Sequence, residues 1–201
     1  MADVAIVDYG GGNVRSLRAA LERCGATARL ASDPADVAGA ERLLIAGQGA
    51  AGAAMAALAA AGLDEAIRSA AAAGTPLLGV CVGLQILFER SAEDDTRCLG
   101  LIPGAVHRLD GAARLPHLGW NDVEPARDHP LTRTLPAVAY FAHSYGVAPS
   151  TPATIAVTQV DDDSFASVVA HGSVAGVQFH PERSAEAGRA LLRAFLAWDG
   201  S

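Results

Sequence analysis

The first half of the chain sets short apolar runs against stretches with helical spacing. Val4-Ala5-Ile6-Val7 leads through Asp8-Tyr9 into Gly10-Gly11-Gly12-Asn13. Val14, Leu17, Ala20, Leu21 and Cys24 then fall on one helical face, which Gly25 closes. A strand is predicted over residues 27–31, a helical turn after Asp33-Pro34, and a buried strand over 42–46 that Gly47-Gln48-Gly49 ends. Two alanine-rich helical segments occupy residues 51–73, and the apolar run 76–80 meets a further helical pattern over 84–89. Strand and helix in alternation imply a parallel sheet covered on both faces.

After Cys98 the rhythm changes. Residues 105–109, 138–143, 154–159, 165–170 and 175–179 read as short strands joined by turns, followed by an amphipathic helix over 185–198. These strands are expected to extend the same sheet in antiparallel fashion. No linker, repeat or low-complexity tract divides the chain, so residues 1–201 are read as a single domain. The fold class is α/β, an open, mostly parallel, flavodoxin-like sheet with helices on both faces.

Composition narrows the function classes. The 201 residues are 51% hydrophobic and 18% charged, which suits a packed globular core. A net charge of −7 with scattered basic residues gives no electrostatic case for nucleic acid or an anionic membrane as partner. Three irregularly spaced cysteines form neither a disulfide framework nor a zinc site and suit a reducing compartment. The N-terminus lacks signal-peptide character, and the alanine-rich stretch 50–61 is too short to span a bilayer, so a cytoplasmic protein is expected. Gly10-Gly11-Gly12 lacks the Lys-Ser/Thr of a phosphate loop, and neither metal nor cofactor is expected.

The candidate chemistry lies in two segments. In Gly79-Val80-Cys81-Val82-Gly83-Leu84-Gln85 a cysteine sits between small residues where a strand turns into a helix, the cysteine counterpart of a nucleophile elbow. The helix N-terminus there favours thiolate. In Val177-Gln178-Phe179-His180-Pro181-Glu182, His180 follows an apolar strand, and Pro181 directs the chain so that Glu182 can hold the imidazole. Cys81 as nucleophile, His180 as general base and Glu182 as its orienting partner make a triad. Taken singly, each piece also has a plain structural reading, and inert core is the one adopted for Cys24 and Cys98. Together, at strand ends of one α/β chain, they point to catalysis.

Around them, backbone N–H groups of Gly47-Gln48-Gly49, with the amide of Val82, are placed either to hold an oxyanion or to make an ordinary glycine turn. His143-Ser144-Tyr145 ends a strand with three polar groups suited to a small polar substrate. Leu115-Pro116-His117-Leu118-Gly119-Trp120-Asn121 reads as a ring-rich loop, either packed on its own domain or kept for a partner.

GVCVGLQ with QFHPE resembles the class I, triad-type glutamine amidotransferases. VDYGGGNVRSL, LPHLGWN, YFAHSY and FASVVAHGSVAGVQFHPERS narrow the likeness to the glutaminase subunits of imidazole glycerol phosphate synthases, nearly end to end. The resemblance implies hydrolysis of L-glutamine and delivery of ammonia to a cyclase subunit, a (β/α)8 barrel, in a heterodimer serving histidine biosynthesis. It implies substrate contacts from Gln85, His143, Ser144 and Tyr145, and an oxyanion loop around Gln48 and Gly49. It places Asn13, Pro116, Trp120, Tyr140 and Arg183 toward the cyclase. The chain departs from the family in reading Ala46-Gly47-Gln48-Gly49 where Pro-Gly-Val-Gly is common, Ala51 where a larger apolar residue is usual, and Arg183 where lysine is common. The rival readings are an amidotransferase serving another synthase, such as the pyridoxal phosphate pathway glutaminase, a freestanding cysteine hydrolase or peptidase, and a non-catalytic binding subunit.

Overall fold

The apolar runs of the first half are buried without remainder: Val4 through Val7, Leu43 through Ile45, and Leu77 and Leu78 expose nothing. A computed structural model describes residues 2–133, 135 and 137–200. It begins with β1 (Asp3–Val7), α1 (Val14–Arg23), β2 (Thr27–Ala31), α2 (Pro34–Ala38), β3 (Arg42–Gly47), α3 (Ala51–Ala60), α4 (Leu63–Ala72), β4 (Leu77–Cys81) and α5 (Val82–Gln85). It continues with β5 (Arg90–Ser91), β6 (Thr96–Arg97), β7 (Ala105–Arg108), β8 (His117–Asp122), β9 (Glu124–Pro125), β10 (Val138–His143) and β11 (Tyr145–Val147). Last come β12 (Thr154–Val160), β13 (Asp163–His171), β14 (Val174–Val177) and α6 (Ala185–Ala197).

The main sheet has the order β2-β1-β3-β4-β14-β13-β12-β9. Its first five strands are parallel, and β13, β12 and β9 join antiparallel. β4 lies at the centre with every residue buried, as a strand covered on both faces requires. α1 turns Leu17, Ala20 and Leu21 inward. Asp33 caps α2 by accepting from the backbone N–H groups of Ala35 and Asp36, with Pro34 in the first turn.

Three expectations need correction. The helix after Cys81 is a single turn and does not run to Glu89. Residues 86–88 give their carbonyls instead to the backbone of the returning segment 99–102, and being apolar on all sides they carry a false helical pattern. Residues 117–122 are not loop but strand, paired with β10 in the register Trp120↔Tyr140 and His117↔His143. Leu118 and Trp120 point out and His117 and Gly119 lie half-buried, a strand alternation that ring residues and glycine concealed. The second-half strands do not all extend the main sheet. β10 pairs with β8 and β11-β7-β5-β6 make a second small sheet, while β14 joins the main sheet parallel to β4. Among the described residues no helix is long and apolar enough to cross a membrane.

What positions the site is a close approach of backbones. A Cβ on Gly83 would lie 2.1 Å from the carbonyl oxygen of Ile45, and one on Gly47 would lie 2.1 Å from the nitrogen of Gly83. A Cβ on Gly79 would lie 2.5 Å from the carbonyl oxygen of Gly83. α5 therefore nests into β3 and β4 only because these three residues carry no side chain. Gly83→Ala is expected to lose about 3 kcal/mol of stability, since a backbone clash has no rotamer to relieve it. Gly39→Ala, whose Cβ would meet nothing nearer than 3.8 Å, serves as the neutral control in the same urea denaturation. Equal midpoints for the two variants would refute the packing argument.

Candidate active site

Cys81 ends β4 with φ 56° and ψ −113°, a backbone conformation that side-chain-bearing residues rarely adopt. Such a conformation costs on the order of 1–3 kcal/mol and persists only where the surroundings impose it. Here the nested glycines do so. The turn sets Sγ 3.8 Å from the Gln178 amide nitrogen and 4.0 Å from the carbonyl oxygen of Ala142.

His180 arrives three residues beyond β14, the strand paired directly with β4. Its backbone N–H donates to the carbonyl of Tyr140 at 2.9 Å, and its own carbonyl accepts from the Ser184 hydroxyl at 2.7 Å. The turn Pro181–Arg183 folds Glu182 back, so that Oε1 accepts from His180 Nδ1 at 3.1 Å. The Glu182 side chain is 2% exposed, and its Oε2 is buried without a partner. With Nδ1 engaged, Nε2 is the ring atom left to interact with the Cys81 side chain. Burial by itself would lower the imidazole's pKa, but the bonds to Cys81 and then to Glu182 outweigh it and push the value up to about 10. The stabilisation from protonated His180 is therefore complete below about 6.5 and is lost as pH rises toward 10. Burial pushes the Cys98 thiol up to about 11 and raises Cys24 as well. All three cysteines are free.

A cleft of about 430 Å³ opens over these groups. Gln48, Gly49, Val82, Gln85, His143, Ser144 and Tyr145 line it with Cys81, His180 and Glu182, as do Asn13, Pro116 and Arg183. Gly47 lies buried beneath the cleft, paired with Cys81 in the β3–β4 ladder. Trp120 and Tyr140 lie outside it as a T-shaped ring pair 6.0 Å apart, with the Arg183 guanidinium 4.1 Å above the Tyr140 ring.

The loop 47–50 is tied at both ends. The Tyr9 hydroxyl donates to the carbonyl of Ala46 at 2.9 Å, and the Glu93 carboxylate accepts from the N–H of Ala51 at 2.9 Å. Between these ties Gln48 and Gly49 are exposed, and Gly49 has φ 86°. His143 is buried against Phe165 and His117, with Nδ1 donating to the carbonyl of Tyr145 at 2.9 Å and Nε2 unpartnered. Burial first, then repulsion from His117 and His180, outweighs the Tyr145 carbonyl bond and drives its pKa down to about 3.

Sequence reasoning passed over Gln178, Glu93, Tyr9 and Ser184. Gln178 had a signal, as the polar residue in an otherwise apolar run. Glu93 had none, because Glu93-Asp94-Asp95 reads as a solvated acidic turn. Among the described residues no group of three or more His, Cys, Asp or Glu side chains is arranged to hold a metal.

Residues 5–198 match the family model "Glutamine amidotransferase class-I". The chain is 48% identical over 200 residues to "Imidazole glycerol phosphate synthase subunit HisH" of Xanthomonas axonopodis pv. citri (strain 306), covering 98% of each chain. It is 48% identical over 195 residues to the protein of that name from Symbiobacterium thermophilum, covering 96% of this chain and 92% of that one. Among solved structures, a "glutamine amidotransferase" superposes with a TM-score of 0.78 at 22% identity, over 98% of this chain and 99% of that one. PurLQS from Thermotoga maritima superposes with a TM-score of 0.76 at 22% identity, over 98% of this chain and 99% of that one.

The burial of His143 has a measurable consequence. The unfolded chain takes up a proton there as pH falls through 6.5, while the folded chain refuses it until about 3, so His143 lowers stability across that interval. In His143→Gln the fall in unfolding free energy from about pH 5 to about pH 4 should become shallower by about 1.4 kcal/mol per pH unit. Urea titrations at the two pH values check this, and parallel slopes in parent and variant would refute it.

Proposed function

The chain belongs to the class I glutamine amidotransferases, and from that premise we propose that it is the glutaminase half of an imidazole glycerol phosphate synthase. In this reading residues 1–201 work as one amidotransferase domain. They hydrolyse L-glutamine to glutamate and ammonia and deliver the ammonia to a cyclase subunit in histidine biosynthesis. The observation that carries the reading is the Cys81 sulfur on its strained turn, facing His180, whose far nitrogen is held by Glu182. The names of the relatives support the particular synthase.

The proposed chemistry follows from that contact. The Cys81 thiolate attacks the side-chain carboxamide carbon of glutamine, and the C=O electron pair moves onto oxygen. Amide N–H groups of Val82 and of the Gln48–Gly49 loop receive that charge. Protonated His180 gives its proton to the departing nitrogen, ammonia leaves, and a thioester remains on sulfur. Neutral His180 then takes a proton from water as it attacks the thioester, glutamate departs and the thiolate returns. Glu182 holds the imidazole in the tautomer both steps need. Gln85, His143, Ser144 and Tyr145 line the space where substrate would lie. Glu93 faces the same cleft with a carboxylate suited to the α-ammonium of an amino acid.

The partner reading rests on the surface beside the cleft. Leu118 and Trp120 are 65% and 55% exposed on the outer face of the β8–β10 strand pair, next to Tyr140 and Arg183. Large apolar side chains displayed together mark a docking surface. Asn13, Pro116, Trp120, Tyr140 and Arg183 are proposed to meet the (β/α)8 barrel there in a heterodimer. Binding would reach the catalytic histidine through Tyr140, whose carbonyl holds the His180 N–H. It would also act on the peptide between the two ties of the 47–50 loop.

Glutamate release is expected to be near zero for the chain alone. It should rise about 10²–10³-fold with the cyclase and its ribonucleotide ligand, the range associated with gaining one oxyanion donor. Cys81→Ser should abolish it. Full activity without a cyclase would instead identify a freestanding hydrolase. Separately, Trp120→Ala should weaken cyclase binding about 30-fold in calorimetry, as loss of a central aromatic anchor does. Unchanged affinity would move the interface elsewhere.

A further inference from the structure

Gln178 is completely buried immediately after β14, its backbone N–H bonded to the carbonyl of Ser167 at 2.9 Å. A primary amide in such a place needs partners for its oxygen and nitrogen, because empty polar positions in a core are costly. Its orientation follows from its neighbours. The carbonyl of Tyr145 can only accept, so the Gln85 atom 2.8 Å from it is the amide nitrogen. The same nitrogen lies 3.3 Å from the Gln178 side chain, so the atom it meets there is Oε1. The Gln178 amide nitrogen is thereby turned the other way, onto Cys81 Sγ at 3.8 Å. The Gln85 amide nitrogen thus donates both to the Tyr145 carbonyl and to Gln178, and from Gln85 onward donation runs one way, through Gln178 to the nucleophile.

We propose that Gln178 is a hydrogen-bond donor to the Cys81 sulfur, held in that sense by Gln85, and that it stabilises the thiolate. The proposal rests on Cys81 being the nucleophile. A need for such a donor is visible in the site. α5 is one turn long, too short for a helix dipole to do the work. The carbonyl of Ala142, 4.0 Å from Sγ, accepts from a thiol but repels a thiolate. Burial, and then Cys81, pushes the Tyr9 phenol up to about 12, so it stays neutral and brings no charge to the sulfur. Protonated His180, backed by Glu182, faces the sulfur with a donor that leaves during catalysis, when its proton goes to the departing nitrogen. The Gln178 N–H stays throughout. As the sulfur lone pair forms the C–S bond, its negative charge passes to the substrate oxygen, and the N–H···S contact weakens without any bond to Gln178 breaking.

Alkylation by iodoacetamide, followed at Cys81 by peptide mass over a range of pH, reports the thiolate with neither glutamine nor cyclase present. In Gln178→Met, which keeps length and loses the donor, the profile should move about one pH unit to the alkaline side, the effect of a hydrogen bond to a charged acceptor at the weak end of its range. Its alkaline plateau should equal or exceed the parent's, because a thiolate without a donor is the stronger nucleophile. Gln85→Met, which frees the Gln178 amide to turn, should move the profile the same way by less. An unmoved profile in folded Gln178→Met overturns the proposal, and so does an equal fall at every pH, which marks altered packing or access. Should Gln178→Met not fold, Gln85→Met decides: displacement supports the chain and an unmoved profile overturns it. Parent protein in which Cys81 reacts no faster than Cys24 and Cys98 would overturn the nucleophile reading, and the proposal with it.

Discussion

The contact between the backbone of Gly83 and those of Ile45, Gly47 and Gly79 is what the rest of the site depends on. Parallel strands stand about 5 Å apart, and a helix normally packs over them with side chains between. At this point one turn of helix lies directly on the strand backbones, because three facing residues carry only hydrogen. That intrusion bends the chain sharply at Cys81 and holds it in a conformation it would not adopt alone. The surrounding core sustains the strain, since β3 and β4 are buried and paired along their lengths. A nucleophile on such a turn keeps one orientation through the reaction, which a cysteine on a surface loop would not.

The sheet order explains why the second half of the chain returns to the first. Catalytic groups of open α/β sheets gather beyond the carboxyl ends of parallel strands. β14 enters parallel to β4 after a long excursion through antiparallel strands, so His180 emerges on the same edge as Cys81. Its position is then fixed by a strand outside the main sheet. Tyr140 in β10 accepts from the His180 N–H, and Ser184 bridges the Tyr140 N–H and the His180 carbonyl. The Tyr140 ring meanwhile carries Trp120 at its edge and Arg183 on its face. A shift of that ring cluster has a short hydrogen-bonded path to the His180 backbone, which is the physical content of any coupling through this strand pair.

How much was legible in the sequence divides along physical lines. Parallel strands buried on both faces are apolar throughout, so β1, β3 and β4 stand out, and their connecting helices follow from 3.6-residue spacing or alanine content. Cys81, His180 and Glu182 were readable because glycines and a proline mark the turns that present them. The β8 strand was not, because one face meets solvent and carries Leu118 and Trp120, which erases the apolar-in, polar-out pattern. The end of α5 was hidden for the opposite reason: Ile86, Leu87 and Phe88 are buried on every side, and their backbone partners lie at 99–102, beyond any local signal. The Gln178 role depends on the direction of two amides and is set wholly by tertiary contacts.

In the proposed synthase, the loop 47–50 is placed to let one chain hold the site intact and still keep it quiet. Its flanks cannot move far. Gly47 is locked in the β3–β4 ladder against Gly83, the Ala46 carbonyl is held by Tyr9, and the start of α3 is held by Glu93. Rearrangement is thereby confined to the peptides of Gln48 and Gly49, which touch solvent and end in a residue already at positive φ. Rotating one peptide there requires no change in the sheet, and it exchanges a carbonyl for an N–H at the mouth of the cleft. In the proposed synthase, a partner that favours one of the two peptide orientations would thus change oxyanion stabilisation while leaving Cys81, His180 and Glu182 where they stand.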